Sequence, residues 1–465
     1  MSVIREERCE IIERNSVLQP YSLLQIASIL RNRGHKVDLI DANGENIDYP
    51  TLEKILSGKD YEALIFRFTP TTFDEDMKVT AISKKYSKAT TIGICYTLGE
   101  FAKIVLDNAK YLDVYLRHEY EVVTPDLVDK LSNNGDLSDV AGIGYRCDGE
   151  IKVNKNAKPI ENYDDLPLPA YDLLKSFDYY YVSTKHGQPF TIMYTSKGCP
   201  YSCIFCTVAN TKWKARSAEN IIQELRHLKK IYNIKTITFF DETFTVDRKR
   251  VEKITNAIIN EKLKIKWYCN SRVDLLDKVL LEKMKQSGCR AISLGIESGS
   301  QNILTGANKK ASVEIAAEAI KMIKEVGIKV NCSFIFGLPG ENWETVNDTI
   351  KFVSKTLPNG AQFNVAAPYP GTKLYNIALE NGWMTKQIDF RNMYQHVSVM
   401  RTDELSPNEL EISRKRAYKL LYFNPRWWIQ NIRYVIKNPD DFILASNYSI
   451  KILTNFIINK MNYSH

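Results

Sequence analysis

The feature of this sequence that most constrains its fold is a repeated alternation of strand and helix patterns, which occurs in two series. The first series runs from about residue 20 to 145 and opens with a helical pattern over 22–33. Its strand patterns cover residues 36–41, 63–68, 90–95 and 113–116. Such alternation is typical of a parallel sheet with helices on both faces. We therefore predict an α/β chain that begins with a Rossmann-like domain over residues 1–150.

A stretch rich in proline and acidic residues ends the first series. Residues 158–174, KPIENYDDLPLPAYDLL, contain three prolines that interrupt both periodicities, and we place a linker over 151–187. The second series has strand patterns over 190–195, 236–240, 265–270, 291–296, 329–336 and 361–365. Six strand–helix units are too few for an eightfold barrel, so they predict an open, partial (β/α)6 barrel over 188–375. Its reacting groups are expected at the carboxyl ends of the strands.

The last segment, 376–465, no longer alternates. Residues 401–465 contain ten Lys or Arg, six Asp or Glu and ten aromatic residues, including the pair Trp427 and Trp428. This mixture predicts a C-terminal helical cap, packed either over the barrel mouth or on a membrane surface.

Composition limits the function classes. The 465 residues are 44% hydrophobic and 25% charged, as in ordinary globular proteins, and the net charge of +8 is small for this length. We therefore expect no nucleic-acid partner. The charged start of the chain and the lack of a long apolar run favour a cytoplasmic location, with peripheral contact at the inner membrane face as a further option. Nine cysteines, an odd number, fit a reducing compartment with buried thiols and a metal site.

Three of the nine cysteines, Cys199, Cys203 and Cys206, lie within eight residues, in TSKGCPYSCIFC directly after the first predicted barrel strand. Proteins usually bind a four-iron cluster through four cysteines. Three thiolates would leave one iron open to a chelating ligand. The alternatives are buried thiols or a zinc knuckle, but zinc needs a fourth nearby Cys or His, and the nearest candidate, His186, lies upstream of the strand.

This C-x3-C-x2-C loop after the first strand of a partial barrel resembles the radical S-adenosylmethionine (radical SAM) superfamily, over about residues 188–375. The resemblance implies a 4Fe-4S cluster whose open iron is chelated by the amino and carboxylate groups of S-adenosylmethionine. It also implies reductive cleavage of that cofactor to a 5′-deoxyadenosyl radical.

The resemblance further implies cofactor-binding positions at the other strand ends. Asp241 and Glu242 in FFDETF match acidic positions that bind the ammonium group, and Arg272 in NSRVD matches a partner for the carboxylate. Further positions are Glu297 and Ser298 for the ribose, and Ile335 and Gly337 beside the adenine. The alternatives are an acidic strand end for Asp241 and Glu242 and a surface salt bridge for Arg272.

Within the superfamily, the N-terminal layer and linker resemble the cobalamin-binding class, on YSLLQIASILRNRGHKVDLIDA and LRHEYEVVTPDLVDKL. The sequence departs from that class in three ways. It has no D-x-H-x-x-G, which excludes an axial histidine from that motif; Cys95, Tyr96 and Thr97 replace a glycine-rich turn; and charges interrupt the first strand pattern, 3–12. The layer therefore either binds cobalamin or serves as a scaffold or substrate lid.

These observations lead to a first hypothesis, a cobalamin-dependent radical SAM enzyme that methylates an unactivated carbon or phosphorus centre. The alternative is radical ring closure, coupling or oxidation of an apolar substrate, such as an isoprenoid lipid or a tetrapyrrole, without methyl transfer. A tRNA methylthiotransferase and a non-enzymatic iron–sulfur carrier rank lower. The expected partners are a small-molecule or lipid-like substrate and a reductant such as ferredoxin or flavodoxin. Candidate substrate contacts are Tyr194, Tyr268, Asn270, Asn331 and Asn364.

Overall fold

A computed structural model describes residues 17–182, 187–385 and 389–438. The strand pattern at 3–12, Cys9, His186 and the last 27 residues of the predicted cap, 439–465, lie outside the described residues. The described residues form a five-stranded sheet and a six-stranded sheet, which correspond to the two alternating series, together with a short two-stranded ribbon.

The N-terminal sheet has the strand order β1-β2-β3-β4-β5, and its first three strands are parallel as predicted. The strands are β1 (Ala63–Arg67), β2 (Thr90–Ile94), β3 (Val114–Leu116), β4 (Ile143–Cys147) and β5 (Glu150–Val153). The helices are α1 (Tyr21–Asn32), α2 (Tyr49–Ser57), α3 (Phe73–Asp76), α4 (Lys78–Tyr86), α5 (Ala102–Asn108) and α6 (Tyr120–Ser132). Strands β4 and β5 form an antiparallel hairpin that our sequence analysis did not predict. Its turn residues, Asp148 and Gly149, both have positive φ, as tight hairpin turns require.

Helices cover both faces of this sheet. Ile92, Ile94 and Leu116 point into one core with α1 and α6, while Phe66 and Tyr115 point into a second core with α5. The predicted strand at 36–41 is wrong, because these residues form no strand. Their acidic side chains are held by polar groups elsewhere: Tyr180 Oη donates to Asp41 at 2.6 Å, and Lys59 Nζ donates to Asp38 at 3.2 Å.

The second sheet consists of six parallel strands in the order β6-β9-β10-β11-β12-β13, which confirms the partial barrel. The strands are β6 (Phe190–Met193), β9 (Thr236–Phe239), β10 (Lys266–Ser271), β11 (Cys289–Glu297), β12 (Lys329–Phe336) and β13 (Gly360–Val365). The helices are α7 (Ala218–Tyr232), α8 (Arg248–Asn260), α9 (Lys278–Gln286), α10 (Gln301–Gly306), α11 (Val313–Glu325), α12 (Trp343–Thr356) and α13 (Lys373–Glu380). Short strands β7 (Ser196–Lys197) and β8 (Lys214–Ala215) pair as the ribbon.

The barrel core lies between the strands and their helices. Phe239, Trp267, Phe334 and Phe363 are completely buried on the helix-facing side. The linker between β5 and β6 packs on this barrel, where Tyr171 Oη donates to the buried Glu224 of α7 at 2.5 Å. The domain boundaries at 150, 187 and 375 stay a prediction.

The helical cap consists of α14 (Pro407–Tyr422) and α15 (Pro425–Lys437). Helix α14 lies along the edge strand β13, where Tyr418 Oη accepts from Phe363 N–H at 3.1 Å and Arg414 Nε donates to Phe363 O at 2.8 Å. These contacts satisfy backbone groups that an open barrel leaves exposed.

Helix α15 lies at the amino ends of the strands, where Trp427 Nε1 donates to Pro358 O at 3.0 Å, just before β13. Helix α15 therefore lies away from the barrel mouth, whereas Phe390, earlier in the same C-terminal segment, packs on Phe73 of the N-terminal layer. In the part of the chain that the structure describes, no helix is both long and apolar enough to cross a bilayer.

Candidate active site

The three clustered cysteines lie in one loop, residues 198–211, between β7 and β8; we call it the cysteine loop. Its base is closed by the Cys199 N–H, which donates to Thr211 Oγ1 at 2.9 Å. Gly198 has φ +83°, and a Cβ there would lie 2.5 Å from Lys212 O. Only glycine fits this close approach, so Gly198 fixes where the first cysteine leaves the ribbon.

Three contacts fasten the cysteine loop to the barrel. The Ile204 N–H donates to Ala307 O at 3.1 Å, and the Leu374 N–H donates to Ile204 O at 2.9 Å. Asn308 Nδ2 donates to the backbone oxygen of Ser202 at 3.0 Å. The loop is thus held between segments that follow β11 and β13, at the carboxyl ends of the strands.

The thiols and Glu242 share one buried environment. Burial, together with the charges of Cys199, Cys203 and Glu242, raises the pKa of Cys206 to about 12. Burial also raises the pKa of Cys199, with Cys203 and Glu242 acting in the same direction and Arg272 acting against them. Free thiols at this position would therefore stay protonated, and a metal is needed to hold them as thiolates.

Three sulfurs on one loop are the kind of donor set that iron–sulfur clusters use. Among the described residues, no three His, Cys, Asp or Glu side chains lie close enough to bind one metal ion. Zinc requires its ligands to meet at one ion, whereas a cubane offers a separate iron to each thiolate. The donor set of three sulfurs on one loop therefore suits a 4Fe-4S cluster with one iron open.

Arg272 follows β10 and lies against the cysteine loop. Its Nε and Nη2 donate to Asp274 at 3.0 and 3.2 Å, and Nη2 also donates to Lys309 O at 2.9 Å. The guanidinium also stacks on the ring of Tyr201. Arg272 therefore lies at the predicted site, and its Nε and Nη2 atoms bond to Asp274 and Lys309 of the protein.

Glu297 ends β11 at a register shift and has φ +70°, a conformation that non-glycine residues rarely adopt. Its Oε1 accepts from Lys309 Nζ at 2.8 Å, and both side chains are buried. Burial alone lowers the pKa of Lys309, but Glu297 and Cys203 outweigh it and raise the pKa. Beside it, the Ser298 hydroxyl is 3.1 Å from Thr349 Oγ1 and accepts from the Ser300 N–H.

The neighbours Asp241 and Glu242 lie in different environments. Asp241 is completely buried and accepts from the Thr195 N–H at 2.6 Å and from Ser196 Oγ at 2.7 Å, with Arg250 at 3.5 Å. Its carboxylate therefore ties β6 and the ribbon to β9. Glu242 acts on the thiols electrostatically, as described above, so it is the acidic group of the pair that lies near the cysteine loop.

Ile335 and Gly337 lie at the end of β12. Ile335 packs in an apolar cluster with Ile204 of the cysteine loop. Gly337 has φ +97°, and a Cβ there would lie 2.9 Å from Leu410 of α14. Its N–H donates to Glu341, a completely buried carboxylate whose pKa burial raises to about 8.

Sequence reasoning missed several residues that shape this site. Tyr201, Asn308, Lys309 and Glu341 each contact a predicted site residue or the cysteine loop. Glu341 had a local signal, because it follows the glycine turn in GLPGE. Lys309 had none, since its link to Glu297 depends on how the chain returns after α10.

The carboxyl ends of the N-terminal strands face the same end of the barrel. Glu121, after β3, accepts from Lys197 Nζ at 2.5 Å, and Lys197 is two residues before Cys199. After β1, the ring of Phe73 lies 5.0 Å from that of Phe390, which follows the last barrel strand. After β2, Tyr96 lies 5.5 Å from the ring of His118. The loop ends of both sheets therefore meet around the cysteine loop.

A partial six-stranded barrel with three clustered cysteines after its first strand defines a class of enzyme, and comparison with known proteins identifies it. Residues 193–353 match the Radical SAM superfamily. The chain is 31% identical over 417 residues to the uncharacterized methyltransferase PH0819 of Pyrococcus horikoshii, a match that covers 89% of this chain and 90% of that protein. The chain therefore belongs to the radical SAM superfamily.

Two further relatives extend the comparison. The chain is 28% identical over 332 residues to an anaerobic magnesium-protoporphyrin IX monomethyl ester cyclase of Rubrivivax gelatinosus, covering 69% of this chain and 58% of that protein. Its fold is similar to a solved structure of the cobalamin-dependent S-adenosylmethionine radical enzyme OxsB, with aqua-cobalamin and S-adenosylmethionine bound. The TM-score is 0.72 at 18% identity, over 95% of this chain and 73% of that one.

Membership in the superfamily gives the protein its chemistry. It is an enzyme that uses a 4Fe-4S cluster and S-adenosylmethionine and requires a reductant. The thiol arrangement described above is consistent with that cluster.

Proposed function

We propose that this enzyme is a cobalamin-dependent radical SAM methyltransferase that acts on an unactivated carbon or phosphorus centre of a small molecule. The observation that carries the proposal is the meeting of the two sets of strand ends around the cysteine loop. Ligands of α/β sheets bind outside the carboxyl ends of the strands. A ligand of the N-terminal layer would therefore lie beside the cluster. Similarity to PH0819, which is named as a methyltransferase, supports the methyl-transfer assignment.

The barrel residues have separate roles in this proposal. Cys199, Cys203 and Cys206 bind the cluster, which when bound supplies one electron to S-adenosylmethionine. Glu242 accepts hydrogen bonds from the ammonium group of that cofactor, because its charge acts on both Cys199 and Cys206. Asp241 keeps the adjoining strand ends in place, since its carboxylate already accepts from three groups of the protein.

Glu297 and Arg272 complete the cofactor pocket. Glu297 offers its carboxylate to the ribose hydroxyls, and the Lys309 ammonium holds it in position. Ile335 and Gly337 line the adenine side, where apolar contact and close backbone approach are available. Arg272 holds the cysteine loop through Tyr201 and adds positive charge beside the cofactor carboxylate.

The N-terminal layer offers three loops to cobalamin, one after each parallel strand: Thr69–Thr72, Tyr96–Gly99 and Arg117–Glu119. Cobalamin supplies methyl-group transfer when bound. Gly99 allows the close packing of the last two loops, because a Cβ there would lie 2.0 Å from His118 Cε1. His118 Nε2 is 3.0 Å from Glu100 Oε1, which fixes the imidazole at this edge.

The barrel interior favours a polar substrate. Burial alternates along β10, β12 and β13, and the side chains facing away from the helices are less buried. Six of these side chains carry hydroxyl or amide groups, and Ile335 and Ala361 are apolar; the six are Tyr268, Asn270, Asn331, Ser333, Gln362 and Asn364. Such groups can bond to a polar substrate, and two of the bonds they already make are Asn270 Nδ2 to Asp241 O at 2.8 Å and Gln362 Nε2 to Asn364 Oδ1 at 3.2 Å. Cyclisation without methyl transfer is the alternative that similarity to the Rubrivivax gelatinosus cyclase favours.

We also propose an acidic electron carrier of the ferredoxin or flavodoxin type as the reductant. The chain has a net charge of +8, which is complementary to such a carrier.

The proposal is tested by anaerobic reconstitution with iron and sulfide, followed by titration with hydroxocobalamin. We expect one cobalamin per chain by absorbance, and 5′-deoxyadenosine on addition of dithionite and S-adenosylmethionine. Deuterated methyl from labelled S-adenosylmethionine should then appear on the bound cobalamin by mass spectrometry. Formation of 5′-deoxyadenosine with no cobalamin bound would contradict methyl transfer and favour the cyclase-type alternative.

A further inference from the structure

Helix α15 exposes a continuous apolar stripe to solvent. Ile429, Ile432 and Ile436 are exposed to 49%, 56% and 71%. Their spacing of three and four residues places them on one face of the helix. Single exposed hydrophobic residues are ordinary, but an aligned stripe on one helix indicates a binding surface.

The opposite face of α15 fixes the direction in which this stripe points. Trp427 is buried, and its indole donates to Pro358 O. Gln430 Nε2 donates to Leu357 O at 2.9 Å, and Asn359 Nδ2 donates to Asn431 Oδ1 at 3.2 Å. These contacts hold one side of the helix on the barrel, so the isoleucine stripe faces outward.

The charge of the chain around α15 indicates which kind of partner the apolar stripe binds. Between residues 412 and 439 the chain has seven basic residues and no acidic one, although basic and acidic residues are nearly balanced overall, at 63 and 55. The basic residues are Arg414, Lys415, Arg416, Lys419, Arg426, Arg433 and Lys437. Arg426 and Arg433 are exposed on α15 itself, beside the isoleucines. A helix that carries an apolar stripe, three basic residues and no acidic one is complementary to an anionic lipid surface.

We propose that α15 docks this enzyme on anionic membranes, lying in the interface with Ile429, Ile432 and Ile436 among the lipids. Arg426, Arg433 and Lys437 contact lipid phosphates. Because α15 lies at the amino ends of the barrel strands, the active site at their carboxyl ends faces away from the bilayer. Substrate and reductant then reach the site from the aqueous side. This inference is independent of whether the enzyme transfers a methyl group.

The test is flotation of the full chain with vesicles of phosphatidylcholine alone or with 30% phosphatidylglycerol. We expect binding to the anionic vesicles only, weakened at high salt. The double variant Ile432→Glu/Ile436→Glu should bind at least tenfold more weakly. The matched control is Val279→Glu/Ile315→Glu, which changes two residues of α9 and α11 exposed to 58% and 48%, and it should bind as wild type does. Cluster absorbance and 5′-deoxyadenosine formation serve as folding controls.

Three results would overturn the proposal. The first is that the wild-type enzyme ignores anionic vesicles at low salt, and the second is that the α15 and control variants bind equally. The third is that the wild-type enzyme does not bind vesicles and is a dimer by light scattering, whereas the α15 variant is a monomer. That result would identify a second copy of the chain as the occupant of the stripe.

Discussion

The guanidinium carbon of Arg272 lies 3.6 Å from the ring centroid of Tyr201, so the residue that follows β10 stacks directly on the cysteine loop. Tyr201 is the second residue after Cys199 and the second before Cys203. The same guanidinium donates to the backbone oxygen of Lys309, whose side chain pairs with Glu297. One side chain thus joins the cysteine loop to the strand ends that we propose bind the cofactor.

This relationship predicts that Arg272→Lys weakens the cluster. Lysine keeps the charge but loses the planar group that stacks and the fork that bonds Asp274. Stacking of this kind contributes about 0.5–2 kcal/mol, so we expect the cluster to be lost to a chelator about 2- to 30-fold faster. The decay of cluster absorbance after chelator addition measures this. Arg248→Lys, at an exposed position, is the control and should leave the decay unchanged.

A second prediction concerns the buried pair of Glu297 and Lys309. Lys309→Met leaves the Glu297 carboxylate buried without its ammonium partner, which costs about 3–5 kcal/mol of unfolding free energy. Urea unfolding of the reconstituted enzyme measures the loss. Lys253→Met breaks an exposed pair with Glu219, so the loss of unfolding free energy is expected to be much smaller. If the two variants lose equal unfolding free energy, the ion pair of Glu297 and Lys309 does not stabilise the fold as predicted.

A third prediction is a pH dependence caused by Glu341, whose pKa is about 8 in the folded chain against an ordinary 4.5. The folded state keeps this proton after the unfolded state has lost it. The contribution of Glu341 to stability is therefore complete below about pH 4.5 and is lost as the pH rises towards 8, at about 1.4 kcal/mol per pH unit. Glu341→Gln cannot ionise, so its stability relative to wild type should rise from pH 5.5 to 7.5 in urea unfolding. A constant difference would exclude this linkage.

A fourth prediction separates the two halves of the active site. In Gly99→Ala the new Cβ would collide with the His118 ring and displace the loops after β2 and β3. We expect at least tenfold weaker binding of hydroxocobalamin with unchanged cluster content. Gly58→Ala, in the same layer but with nothing closer than 3.9 Å to the new Cβ, should bind as wild type does. Loss of the cluster in Gly99→Ala would instead mean that the N-terminal layer is needed for the barrel to fold.

The sequence predicted the barrel strands closely because each is an apolar run between a helix and a polar strand end. The strand at 36–41 was predicted from similar periodicity, but its pairing depends on a neighbour that local patterns do not show. The position of α15 was not predictable either, because the sequence of an amphipathic helix does not show which end of a barrel it packs on. Only the fold shows that α15 contacts Leu357 and Pro358 at the amino ends of the strands.

In the candidate site too, some features were predictable from the sequence and others were not. The cysteine spacing is local, so the sequence alone shows that the three thiols lie in one loop. The difference between Asp241 and Glu242 was hidden, because adjacent residues point in different directions and only the fold shows that Thr195 and Ser196 bind the first. Likewise, the partners of Arg272 come from three separate segments of the chain.

The central claim is that three cysteines hold a four-iron cluster with one iron open to S-adenosylmethionine. Electron paramagnetic resonance of the dithionite-reduced enzyme, recorded before and after addition of S-adenosylmethionine, tests it most directly. We predict the signal of a reduced 4Fe-4S cluster whose g values shift when S-adenosylmethionine binds. A cluster signal that S-adenosylmethionine leaves unchanged would mean that the fourth iron is already ligated, and it would contradict the claim.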